Sequence, residues 1–185
     1  MSLSLVTAPR GLPVDLDEVK AHLRVTGFAE DELIERLMKT ATQRLDGPYG
    51  KIGRCLLTQT WAYTTDRVSR EIEIPLAPVS AVSSITGLIP ADYTVHRLRD
   101  LDGTVIRPAS TGSWYLNHAG ERVVTFVAGF GEAPDDVPEP IRTAITMHVA
   151  HLYEHRESVT ASAISLSETP QAYEDLIAPY RKWSF

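Results

Sequence analysis

Three histidines stand at spacings of three and four in this 185-residue chain: His148, His151 and His155. On a helix those intervals bring the rings into one narrow wedge, a geometry in which imidazoles can share a metal ion. A His-dependent metallohydrolase is the chemistry they would serve. A single helix seldom gives three ligands with good tetrahedral geometry, however, and the H-E-x-x-H pattern is absent. The wedge also overlaps an apolar stripe through Ile145 and Leu152, so core or subunit-interface histidines fit better than a metal centre. Cys55 would be a nucleophile only with a histidine beside it in space, and its neighbours Leu56 and Leu57 suggest a small buried hydrophobe. Gly50-Lys51-Ile52-Gly53 matches the bare G-x-x-G of RNA-clamping loops. The phosphate-cradling G-x-x-x-x-G-K-[ST] needs a hydroxyl where Ile52 stands, so a turn after Gly47-Pro48 explains these glycines. Asp135 and Asp136, among prolines, read as a solvated loop. The expectation is no catalytic residue, no cofactor and no metal.

The C-terminal tail carries a different signal. Tyr180, Arg181, Lys182, Trp183 and Phe185 put three aromatics and two cations into six residues. Trp, Tyr and Arg are the side chains that anchor interfaces, so the tail either docks on a partner or folds back on its own domain.

Composition bounds these options. Apolar residues make up 43% and charged residues 23%, which places the chain among globular proteins. A net charge of -6 argues against a protein whose main task is to grip DNA phosphates. The acid excess is uneven: residues 126–185 hold nine acids and four bases, residues 51–125 seven acids and eight bases. A small nucleic-acid-binding module using Lys51, Arg54, Arg67 and Arg70 is thus the second alternative. A single cysteine leaves packing alone to hold the fold, the N-terminus makes a poor signal peptide, and no apolar run is long enough to cross a membrane. A soluble protein made in the cytoplasm is expected.

The elements that must position these residues follow from periodicity. Asp15 with Glu18 suggests a capping box, with Val14 and Val19 as a hydrophobic staple. Leu16, Val19 and Leu23 then make a first helix that Gly27 stops. Glu30-Asp31-Glu32 open a second helix with the apolar stripe Leu33, Ile34, Leu37, Met38, Ala41 and Leu45. From about Thr58 the period becomes two. Trp61 and Tyr63, Ile72 and Ile74, Tyr93–Val95, Thr104–Ile106, Trp114–Leu116 and Arg122–Val127 read as short antiparallel strands. Asp102-Gly103 and Asn117-His118-Ala119-Gly120 read as hairpin turns. A long helix with Pro138 in its first turn runs to about Glu157. Residues 158–169 read as a loop before a short helix Gln171–Ala178. The predicted class is α+β, a helical bundle formed by N-terminal and C-terminal helices with an inserted antiparallel β region. Its parts are residues 1–57, the β insert 58–131, the long helix 132–157, and the loop, helix and tail 158–185.

Read in order, six segments resemble the head–tail connector (adaptor) proteins of long-tailed double-stranded DNA phages and phage-like particles. They are Leu16–Val25, Asp31–Leu37, Gly53–Trp61, Ile72–Val79 with Val82 and Ile85, Val124–Gly131, and Val137–Ile141 leading into Ala150–Glu157. His151 falls within the last, which removes the need for a metal to explain it. The resemblance implies a structural role without catalysis, in a homo-oligomeric ring, commonly of twelve copies, beneath the portal. Such a ring extends the DNA channel, passes DNA without sequence-specific binding and gives a tail-side neck or stopper protein its attachment surface. It implies a location in the virion neck, with assembly in the bacterial host cytoplasm and no membrane. Tyr180, Arg181, Lys182, Trp183 and Phe185 are the expected portal-docking residues.

Overall fold

Apolar residues at helical spacing appear at both ends of the chain, and they meet. A computed structural model describes residues 2–66, 71–98, 103–109, 121–155 and 171–182. Helices α1 (Leu16–Leu23), α2 (Asp31–Leu45), α3 (Glu139–Glu154) and α4 (Gln171–Ile177) pack on one another. Val19, Ile34, Met38, Ala41, Leu45, Ile141, Ala144, Ile145, Val149, Tyr173 and Ile177 fall into a single buried cluster. Helices as short as α1 and α4 are not stable alone, so this shared burial holds them.

The helix ends differ in detail from the sequence pattern. Asp15 takes the extended N-cap conformation, but its side chain makes no capping bond. Glu18 reaches away from the cap to the Arg142 guanidinium at 2.7 Å, which also binds Asp135 at 2.9 Å and Glu139 at 3.2 Å. A long-range charge-assisted pair thus replaces the local box and ties α1 to α3. Helix α1 ends at Leu23, before Gly27, with Arg24 in the left-handed region at φ 56°. Pro138 is the N-cap of α3, and Pro140 occupies its first turn. Asp136 is not a free loop carboxylate, since it accepts the Ala133 N–H at 2.9 Å.

The period-two segments form two antiparallel sheets. β1 (Ser2–Thr7), β2 (Gln59–Thr65), β7 (Arg122–Ala128) and β4 (Val79–Ile85) make a sheet in the order β1-β2-β7-β4. β3 (Ile72–Ile74), β6 (Thr104–Pro108) and β5 (Tyr93–Arg97) make the second, in the order β3-β6-β5. The fold is α+β. Along β2 and β7 every second residue is buried, as a strand with one core-facing side requires. Trp61, Tyr63, Ile72, Ile74, Ile85, Ile106, Val124 and Phe126 join both sheets in one core. Two strands escape the sequence pattern: β1, whose SLSLVT is largely exposed, and β4, whose bulged register hides its alternation. The expected strand Trp114–Leu116, the turn 117–120 and the loop 158–169 lie outside the described residues.

Helical and β parts join through residues 46–59. The Asp46 carboxylate, just past the end of α2, accepts the Leu56 N–H at 2.7 Å and the Gln59 amide at 3.1 Å. Gln59 in turn accepts the Trp61 indole N–H at 3.1 Å. Burial pushes the Asp46 carboxyl above its ordinary value, while the N–H donors of Leu56, Gln59 and Gly47 pull it back. Replacing Asp46 with alanine orphans these donors and is expected to cost about 2 kcal/mol. Urea unfolding of Asp46→Ala, Gln59→Ala and the double variant checks this. The double variant should lose clearly less than the sum, as members of one network do, whereas additive losses would show that the two side chains act independently.

Candidate functional site

The tail residues singled out by composition return to their own domain as far as Lys182. Arg54, 2% exposed, donates its Nε–H to the Tyr180 carbonyl at 2.6 Å. The Lys182 N–H bonds Ile52 O at 2.9 Å, and its ammonium bonds Pro75 O at 2.6 Å. Burial lowers the pKa of Lys182, and so does the Arg54 charge, while Glu73 opposes them. The tail is thereby stitched to the 51–54 turn and to the end of β3. Trp183 and Phe185 lie outside the described residues.

One step back along the chain, a cationic cluster gathers from five segments. Arg44 near the end of α2, Lys51 in the turn and Arg181 in the tail surround Tyr173 and Glu174 of α4 and His148 of α3. Glu174 pairs with both Lys51 and Arg181 and is held below the usual carboxylate range, first by the Lys51 hydrogen bond. Lys51 also lies 5.4 Å from the centre of the Tyr173 ring, a cation–π distance. Beneath these charges Arg181 Nε and His148 Nδ1 are buried with no hydrogen-bond partner among the described residues, and Arg44 hydrogen-bonds the Tyr173 hydroxyl. Burial, then the charges of Arg44, His151 and Lys51, lower the pKa of His148. No sequence motif marks this cluster, because its members lie up to 137 positions apart and only the fold assembles them.

The three histidines do not act together. His148 packs edge-on against Tyr173 at 5.5 Å, whereas His151 stacks on His155 at 4.4 Å. His155 spends Nδ1 on its own helix, 2.8 Å from His151 O. Among the described residues no three His, Cys, Asp or Glu side chains are arranged to hold a metal ion. The nucleic-acid set fares similarly: Lys51 is engaged by Glu174 and Arg54 is buried. Arg67 and Arg70 lie outside the described residues. Gly50 has a structural reason to be glycine, since a Cβ there would sit 2.1 Å from Leu45 O. The turn bends back against α2 too closely for any side chain.

Neither protein-family models nor curated proteins give a match to the sequence. Solved structures do. A chain in the neck of an empty gene transfer agent (GTA) particle, computed with C6 symmetry, superposes with TM-score 0.78 at 24% identity, over 100% of this chain and 97% of that one. A chain of the virion of a native GTA particle gives 0.76 at 23%, with the same coverage. A chain in the neck of a native GTA particle, computed with C12 symmetry, gives 0.76 at 19%, again over 100% and 97%. The fold is shared from end to end.

Two outcomes follow from the site. Cys55 is fully buried, and desolvation together with the Asp46 charge drives its thiol far above the normal range. A soluble disulfide reagent should modify it at least about 100-fold more slowly in the native protein than in urea; comparable rates would mean that the joint opens freely. Glu174, with its depressed pKa, contributes stability above about pH 4.5 and loses it as the pH falls through its lower folded value. The stability gap between wild type and Glu174→Gln should therefore be about 1 kcal/mol at pH 7, hold down to about pH 4.5 and close as the pH falls further. A gap unchanged from pH 7 to pH 3 in urea titrations would contradict this.

Proposed function

We propose that this chain is a non-enzymatic structural component of the neck of a phage-like particle, in the head–tail connector position. One observation carries the proposal: the likeness to chains of gene transfer agent particles, two of them in necks, spans 100% of this chain and 97% of those chains. The six ordered segments that resemble connector proteins support it independently. All six overlap described helices or strands, and Gly53–Trp61 also spans the joint before β2.

On this proposal the chain forms a ring, of twelve copies by the resemblance, beneath a portal protein. Necks treated with C6 and with C12 symmetry are compatible with that number. The helices from the two ends of the chain form the bundle at subunit contacts, and the β region is the body of the ring. DNA passes through without being gripped, consistent with a net charge of -6. A tail-side stopper binds the opposite face. The particle is assembled in the bacterial host cytoplasm, and the chain ends in the virion neck.

Tyr180, Arg181, Lys182, Trp183 and Phe185 are the proposed portal contact. Tyr180, Arg181 and Lys182 are anchored on the chain's own domain. They serve first as a fixed root from which Trp183 and Phe185 reach the partner. The histidine trio, split between Tyr173 and its own helix, favours no enzymatic alternative.

The purified chain, mixed with the portal encoded beside its gene, should be retained by it and form a ring capping it in electron micrographs. Trp183→Ala with Phe185→Ala should weaken retention at least about tenfold, as loss of aromatic anchors does. Unchanged retention would remove the tail from the contact, and no retention of the wild-type chain would overturn the connector role.

A further inference from the structure

The cationic cluster is unusual in an acidic protein. Lys51 and Arg181 share one carboxylate, Glu174, and Arg44 lies beside Tyr173, the preceding residue on α4. Arg44 is exposed and makes no ion pair among the described residues. Arg44 also hydrogen-bonds the Tyr173 hydroxyl, which fixes its place in the cluster. A surface that gathers three cations around one carboxylate keeps a net positive charge and is suited to a further carboxylate.

Elsewhere the same chain presents the complement. A groove of about 370 Å³ between the segment before α1, helix α2 and the turn after β7 has an apolar floor that includes Leu12, Met38 and Leu57. Its rim carries Asp15, Glu35 and Glu132, all exposed. Asp15 and Glu132 have no ion-pair partner among the described residues, and Glu35 has only Lys39 at 3.8 Å on its own helix. Glu35 and Arg44 lie nine residues apart on α2, about 13 Å along the axis and about 180° around it, so the two charged regions are separate places on the molecule.

We propose that the Arg44–Lys51–Arg181 cluster receives the acidic rim, Asp15, Glu35 and Glu132, of a second copy of this chain. The contact is heterologous: each copy offers its basic cluster to one neighbour and its acidic groove to the other, as a closed ring requires. This rests on the ring of the proposed function and names the surfaces that build it. A duplex DNA ligand is disfavoured, because backbone phosphates need a strip of cations and two of these three are gathered on one carboxylate, Glu174.

Two charge reversals test it: Arg44→Glu, and Glu35→Lys combined with Glu132→Lys, each checked for native folding by its thermal melt. Self-association is read by sedimentation for the free chain and by ring occupancy on the portal in electron micrographs. Wild type should associate at least about tenfold more weakly in 0.5 M than in 0.05 M salt. Each reversed variant alone should fail to associate. An equimolar mixture should recover association, since in an alternating ring the reversed position 44 faces the reversed rim and the unaltered cluster faces the unaltered rim. Wild-type-like rings from Arg44→Glu, or a folded mixture that stays monomeric, would overturn the inference and leave the connector role standing. Loss of duplex DNA retention by Arg44→Glu with rings intact would do the same and reassign the cluster to phosphate. A wild-type chain that neither associates nor binds the portal would overturn both.

Discussion

The Asp46 carboxylate is where the helical core and the β core become one structure. It stands after the last turn of α2, accepts the Leu56 N–H and, through Gln59, reaches the indole of Trp61 on β2. Neither of its donors can be released into the joint without leaving a polar group unsatisfied. Eight residues on, Arg54 is buried within the same joint and holds the Tyr180 carbonyl, so the C-terminal tail is fixed by the segment that fixes the sheet to the helices. Helix end, first core strand and tail therefore take their positions together.

Much of this was legible in the sequence. Ile34, Met38, Ala41 and Leu45 read as one face of a helix and are buried as one face. The alternation of Trp61 and Tyr63, and of Ile72 and Ile74, matches the buried faces of β2 and β3. β1 was invisible because it is an edge strand with little to bury, leaving only a short polar–apolar run. Glu18 was misassigned because local spacing favours a capping box, whereas the actual partner, Arg142, is 124 positions away. The cationic cluster could not be read for the same reason. Arg44, Lys51, His148, Tyr173 and Arg181 share no motif, and only the packing of α2, α3 and α4 brings them together.

That division bears on function. The residue patterns that most resembled catalytic or metal chemistry, the histidine trio and Cys55, are absorbed by packing: one ring against Tyr173, two against each other, and a thiol in the core. Charge is instead invested at surfaces, in a cationic cluster around Glu174 and in an acidic rim around an apolar groove. Surfaces of opposite charge on one jointed body are what a repeating structural subunit needs, and they suit the proposed neck role.

The most direct measurement is electron cryo-microscopy of particles released by cells carrying the gene, with and without this chain. Density fitting the two sheets and four helices should encircle the channel between capsid and tail, and particles lacking the chain should be capsids without tails. Complete tailed particles in its absence, or its density found anywhere but the neck, would contradict the proposed role.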